Sequence, residues 1–261
     1  MTRHRTKRPK PTQTRHVTAH GRAIEAPSQE YVPTRPQPKL IFKFKNNKQR
    51  DLYNTILDNR ITFVRSVAGV GKTICALAAA INIVKDTSFN IDQIFLTKPI
   101  VEITSGKGLG HLPGEVSDKT AVHFAHFYDN IVKLVGKEGC KYLTENGIIK
   151  EVVLNYIRGT TFGRYDSTGN PIGSICILDE SQNTTVGEMK SFISRIGEGS
   201  KLVIMGDPDQ IDIRLNRGEL CGLDDAVDRF YGMRDVGYVE FHENDIVRDP
   251  FLIEIMKRYK T

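Results

Sequence analysis

No apolar run in this 261-residue sequence reaches the roughly 18 to 20 residues that a membrane-spanning helix needs, because charged side chains interrupt every candidate. A transmembrane segment is therefore not expected. The opening stretch, Met1 to Lys10, is basic and contains proline, and no apolar stretch follows to serve as the hydrophobic part of a secretory signal. Both absences lead to the expectation of a cytoplasmic protein with no membrane partner. Close cysteine pairs are lacking as well. Cys75, Cys140, Cys176 and Cys221 lie far apart, which excludes a CxxC zinc site and argues against a disulfide framework; three sit among apolar neighbours, as buried free thiols do. Internal repeats are also missing.

What is present is an ordinary globular composition, 39% apolar and 26% charged, enough for one sizeable α/β core with an appendage. The net charge of +6 is unevenly spread. Residues 1–38 carry eight basic side chains (Arg3, Arg5, Lys7, Arg8, Lys10, Arg15, Arg22 and Arg35) against Glu25 and Glu30, so the remainder is neutral. The same stretch holds six of the eleven prolines and few large apolar side chains, so it cannot offset its own ordering entropy. A disordered, basic, proline-rich arm over 1–38 is expected ahead of a folded domain over 39–261. Two uses of the arm stand open: salt-sensitive contact with polyanions, or a merely solubilising extension.

Within the body, Leu52, Tyr53, Ile56 and Leu57 recur at helical spacing and predict a first helix over 47–59. A β-branched run over 61–67, glycines at 69 and 71 and a helix-forming stretch over 73–85 follow in the order strand, turn, helix. Further strands are expected at 93–97, 174–178, 201–205 and 237–241, alternating with helical or mixed segments, which indicates a mostly parallel sheet flanked by helices. Residues 116–135 read as a helix; its His123, Phe124, Phe127 and Tyr128 suit either base stacking or, more commonly, a core. Residues 160–171 read as an exposed loop or hairpin.

Three elements carry chemistry. Ser66-Val67-Ala68-Gly69-Val70-Gly71-Lys72-Thr73 is a Walker A phosphate loop whose first position is serine where glycine is usual. Its glycines admit close approach of phosphate to backbone N–H groups and a helix N-terminus; Lys72 is placed for the terminal phosphates and Thr73 for Mg²⁺. The apolar run 175–178 ends in Asp179 and Glu180, a Walker B pattern in which Asp179 serves the metal and Glu180 activates water. A third apolar run, 203–205, leads to Gly206, Asp207 and Gln210, and Gln210 suits contact with a terminal phosphate and its water. Water activation by Glu180 and Gln210 argues against a small-molecule kinase.

These elements together resemble superfamily 1 helicase cores. Lys98-Pro99-Ile100-Val101-Glu102, the segment Gly108 to Gly114, Asp179 to Thr185, Gly206 to Asp212 and Asp245 to Pro250 sharpen the match to the PhoH-like family over about 47–260. The resemblance implies a RecA-like P-loop NTPase core that uses ATP and Mg²⁺. It assigns Gln49 to reading adenine, and it points to Arg248 as an arginine finger, with Arg214 and Arg217 as rivals. It also implies action on single-stranded nucleic acid, RNA favoured, and a homo-oligomer supplying the opposing half of the site, a hexameric ring. The competing class is a nucleotide-dependent assembly or chaperone-like module with a protein partner. Departures from the family pattern stand at Ser66, Lys98, Ser181 (alanine is common) and Asp249.

Overall fold

The computed structural model describes residues 37–100 and 116–247 together with Phe251 and Arg258, the side chains of 116–121 excepted. Residues 1–36 of the arm, the Gly108 to Gly114 segment and Arg248 lie outside the described residues.

Four of the five expected apolar runs become the centre of one sheet, and the fifth, 237–241, its edge. Strands β1 (Ile61–Ser66), β2 (Ile91–Lys98), β3 (Ile149–Val153), β5 (Pro171–Leu178), β6 (Lys201–Gly206) and β7 (Val236–Phe241) are parallel in the order β3-β2-β5-β6-β1-β7; β4 (Arg164–Tyr165) pairs antiparallel with the start of β5. Parallel strands buried on both faces need apolar side chains at successive positions, which is why these runs are continuous rather than alternating. Val64, Ile177, Val203 and Met205 face helices α1 (Asn47–Asp58), α2 (Lys72–Lys85) and α3 (Val116–Glu145), whereas Phe63, Cys176, Leu178 and Ile204 face α4 (Val186–Ile193) and α5 (Gly222–Phe230). The result is the expected sheet between two helical layers. All four cysteines are free and buried. Among the described residues no helix is long and apolar enough to cross a membrane.

Two expectations needed correction. Strand β3 was not anticipated: it is an edge strand whose middle, Lys150 and Glu151, is exposed, so no apolar run marks it. Helix α3 continues to Glu145, ten residues beyond 135, through a break at Gly136, whose φ of 74° departs from the helix. Phe124 and Phe127 are fully buried, so the core use of those aromatics holds. Residues 160–171 form a hairpin around an Asp166 to Asn170 turn, as read, but not an entirely exposed one, since Phe162 is fully buried in the core.

Strand β6 lies between the phosphate-loop strand β1 and the acidic strand β5. Its C-terminal loop therefore emerges between the loops of its two neighbours, at the edge where open α/β sheets bind ligands.

Candidate functional site

The phosphate loop leaves β1 at Ser66 and enters α2 at Lys72. Gly69 and Gly71 adopt φ of 88° and 81°, left-handed values that favour glycine. At Gly71 a side chain would also strike Gln49 Nε2, 2.8 Å from a built Cβ. Two hydrogen bonds brace the loop directly, and a third ties together the segments that supply them. The Gln49 side-chain amide donates to the Val70 carbonyl at 2.9 Å, the Val247 N–H donates to the Gly69 carbonyl at 3.2 Å, and Asn46 Nδ2 donates to the Asp245 carbonyl at 3.0 Å. Gln49 is 2% exposed, and its Oε1 accepts the Lys45 N–H at 2.8 Å. Both ends of that amide are thus engaged by the chain's own backbone.

Asp179 and Glu180 follow the C-terminal end of β5. Thr73 Oγ1 donates to Asp179 Oδ2 at 2.8 Å, joining the two motifs 106 residues apart in sequence. His126 Nε2 on α3 lies 3.4 Å from the same oxygen. Burial pushes the Asp179 carboxyl up, but His126, the charge of Lys72 and the Thr73 hydroxyl outweigh it and hold the group down at about 2. The carboxylate is therefore charged at neutral pH. Glu180 sits at φ 56°, ψ 34°, a left-handed conformation uncommon for a side chain of its size. Such outliers persist where the surroundings enforce them. The Glu180 N–H donates to Asp179 Oδ1 at 3.0 Å, and its carboxylate is held by Gln182, fully buried, whose Nε2 donates to Glu180 Oε2 at 2.8 Å and to the Gln210 carbonyl at 2.9 Å, while its Oε1 accepts the Asp207 N–H at 3.1 Å. Asn183 and Asp212 add a second reciprocal tie between the same two loops. Gln210 Nε2 donates to Asp207 Oδ2 at 2.6 Å, and burial raises the Asp207 carboxyl.

These groups converge on one cleft of about 770 Å³, lined by Ala68, Gly69, Gly71, Lys72 and Thr73 on the floor, Glu180, Asp207 and Gln210 on one side, and Ile41, Lys43, Lys45 and Lys133 on the rim. The volume suits a nucleotide-sized ligand. Of the residues expected from sequence, Gln49, Ala68, Gly69, Gly71, Lys72, Thr73, Glu180 and Gln210 line it. Ser66, Val67 and Val70 belong to the loop without lining the cleft, and Asp179 lies behind Thr73. Arg214 and Arg217 are exposed on the loop after β6 and do not line it. His126 and Gln182 were missed as site residues. Gln182 stands two positions after Glu180 with no local mark of its role; His126 reaches Asp179 only through the packing of α3.

The donors fit the expected ligands. Thr73 Oγ1 and Asp179 Oδ2 are hard oxygens of the type Mg²⁺ takes, and the left-handed glycines leave phosphate-loop amides without side chains over them.

Comparison with known proteins places the chain beside one family. Residues 41–260 match the PhoH-like protein family. A PhoH-like protein of Bacillus subtilis is 34% identical over 236 residues, 90% of this chain and 69% of that protein. Protein PhoH of Escherichia coli K12 is 33% identical over 219 residues, 82% of this chain and 57% of its own length. The chain thus spans between about half and two thirds of these relatives. Among solved structures, the large terminase of a thermophilic bacteriophage aligns with a TM-score of 0.43 at 10% identity over 84% of this chain and 50% of its own, and Pif1 helicase from Candida albicans with 0.40 at 13% over 83% and 44%.

Proposed function

The chain belongs to the PhoH-like family, and from that premise and the geometry of its cleft we propose that it binds and hydrolyses ATP with Mg²⁺, coupled to RNA or single-stranded DNA. The observation that carries this reading is the meeting of Lys72, the Thr73 to Asp179 hydrogen bond, Glu180 and Gln210 at one cleft.

In this reading the floor amides and Lys72 hold the triphosphate, and Thr73 and Asp179 hold the metal. When bound, the ion neutralises charge developing on phosphate oxygens. Glu180, fixed by Gln182, accepts the proton of the attacking water as its oxygen bonds to the terminal phosphorus and the bond to the leaving diphosphate breaks. Gln210, steadied by Asp207, presents an amide able to donate to phosphate and accept from water. Gln49 stands at the cleft wall, where the family resemblance assigns it to adenine. With 2% of its surface exposed it offers a base little contact, and its bracing of the phosphate loop is the role its bonds support. Arg248 is retained as the proposed finger, acting across a homo-oligomeric ring whose neighbouring copy supplies the opposing surface.

The test is steady-state ATP hydrolysis with Mg²⁺, with and without single-stranded RNA or DNA. Glu180→Gln should keep nucleotide binding and lose turnover by roughly 10² to 10⁴, the contribution of a positioned general base. Near-normal turnover in that variant would remove Glu180 from the reaction. Hydrolysis indifferent to both polymers would favour a protein partner instead.

A further inference from the structure

Outside the arm the chain is neutral overall, yet residues 39–50 contain Lys39, Lys43, Lys45, Lys48 and Arg50 and no acid. Exposure alternates strictly along 37–45, the period of an extended chain. Even positions turn inward: Leu40 and Phe42 pack on the core, and Phe42, Phe44 and Tyr53 form a ring cluster with centroids 5.0 to 6.4 Å apart. Odd positions turn outward, so Lys39, Lys43 and Lys45 share one face with Ile41, which is 67% exposed. This strap is anchored across α3, where the Ile41 N–H donates to the Leu134 carbonyl at 2.7 Å and Pro38 packs against Gly139. That crossing brings the exposed Lys133 and Lys137 of α3 alongside the row. None of these five lysines pairs with a carboxylate among the described residues.

Lys39 to Lys45 covers about 20 Å of extended chain at roughly 3.3 Å per residue. The row begins at the cleft rim with Lys45, Lys43 and Lys133 and runs outward to Lys39 and Lys137. Uncompensated cations along a line fit a linear polyanion, and an exposed isoleucine between two of them fits a strand whose base faces are available, which a duplex does not offer. The strap is also wired to the phosphate loop: the Lys45 N–H donates to Gln49 Oε1, and Gln49 Nε2 donates to the Val70 carbonyl. We propose that this lysine row is the docking track for a single-stranded polynucleotide, and that the Lys45, Gln49, Val70 relay passes its occupancy to the phosphate loop. The inference rests on the polynucleotide reading above and assigns it a surface.

The experiment is fluorescence anisotropy of a labelled oligouridylate on the full chain over a salt series. It compares Lys39→Glu/Lys137→Glu with Lys190→Glu/Arg234→Glu, an equal charge change at exposed sites elsewhere. The first variant should weaken binding roughly tenfold at low salt and reduce the salt slope by about 1.4, two phosphate contacts at about 0.7 each. The second should stay within about twofold of wild type. Equal losses in both variants, or none in the first, overturn the track. If wild type binds no oligonucleotide at all, the polynucleotide reading falls and the track with it, and binding to phosphatidylserine vesicles under those conditions would reassign the row to lipid. For the relay, the ratio of oligonucleotide-stimulated to unstimulated hydrolysis should fall toward one in Gln49→Ala at saturating nucleotide while oligonucleotide affinity holds. An unchanged ratio overturns it.

Discussion

Asp179 and Asp166 are both held at about 2, at opposite ends of the sheet and by opposite means. Asp179, behind the C-terminal end of β5, is buried and relies on His126 of α3 and on Lys72 and Thr73 at the start of α2, two other segments, to overcome its burial. Asp166, in the turn that leads into the N-terminal end of β5, lies on the surface and accepts hydrogen bonds from Thr168 and Asn170 of its own turn. The contrast extends to the surroundings. At the N-terminal end, Ser200 Oγ donates to the Phe162 carbonyl and accepts the Ser174 N–H, while Ser174 Oγ, Asp92 Oδ1 and Arg195 Nε are buried without a hydrogen-bond partner. At the C-terminal end Glu180 is held in an uncommon conformation, and the buried hydroxyls of Ser66 and Ser181 find no hydrogen-bond partner. Unpartnered buried groups therefore occur at both ends, but it is at the C-terminal end that Lys72, Glu180 and Gln210 line one cleft. The division we propose is that this end holds its groups for a ligand and the other serves stability.

If that division is right, the largest effect on stability should come from the end away from the cleft. A Cβ at Gly173 would lie 2.3 Å from the backbone carbonyl oxygen of Gly199, a contact no side-chain rotation relieves. Gly173→Ala should cost about 3 kcal/mol in urea unfolding, with turnover per folded molecule unchanged. A large loss of turnover at preserved stability would break the comparison. At the cleft end the order of effects should reverse. Gln182→Leu removes the group that fixes Glu180 and frees the buried Asp207 N–H, so turnover should fall roughly 10- to 100-fold, while stability falls by only about 1 to 3 kcal/mol. Single-turnover hydrolysis at wild-type rate would show that Glu180 holds its position without help.

The same division decides what could be read from sequence. The strands behind the cleft are central and parallel, so they are written as unbroken apolar runs such as Ile175 to Leu178. Edge strand β3, with Lys150 and Glu151 in its middle, carries no such mark. Lys72, Thr73, Asp179 and Glu180, which the fold does bring together, could be picked out because the phosphate and metal chemistry proposed for them calls for those residue types at fixed spacing. Gln182 and His126 act through contacts that exist only once β6 lies beside β5 and α3 packs across them. The bracing by Gln49 was likewise hidden, since its partner Val70 is 21 residues away.

A gentler comparison uses pH. The Asp166 carboxyl is lowered from its ordinary 3.8 to about 2, so the stability it contributes is fully present above about pH 4 and is lost as pH falls toward 2. Asp166→Ala should therefore unfold at lower urea than wild type at neutral pH, and the gap between the two midpoints should close between about pH 4 and pH 2. ATP turnover should not change. A gap that is constant with pH would mean that the turn owes nothing to the charge on its carboxylate.

The smallest effect is expected at Ser181, where alanine is common in the family. Its hydroxyl is fully buried beside Glu180 and makes no hydrogen bond. A buried polar group left unsatisfied costs about 1 to 3 kcal/mol, and removing one oxygen leaves only a small space, so Ser181→Ala should raise stability by about 1 kcal/mol in urea unfolding. Turnover separates two explanations for the serine. If the variant gains stability and keeps its rate, the hydroxyl is a local imperfection, and the cleft end owes its polarity to the Lys72, Asp179 and Glu180 set alone. If stability rises while hydrolysis falls severalfold, the hydroxyl finds its partner only when nucleotide is bound. The unsatisfied polar groups at this end would then be part of the catalytic arrangement, and Ser66, equally buried and unpartnered, would be the next residue to replace.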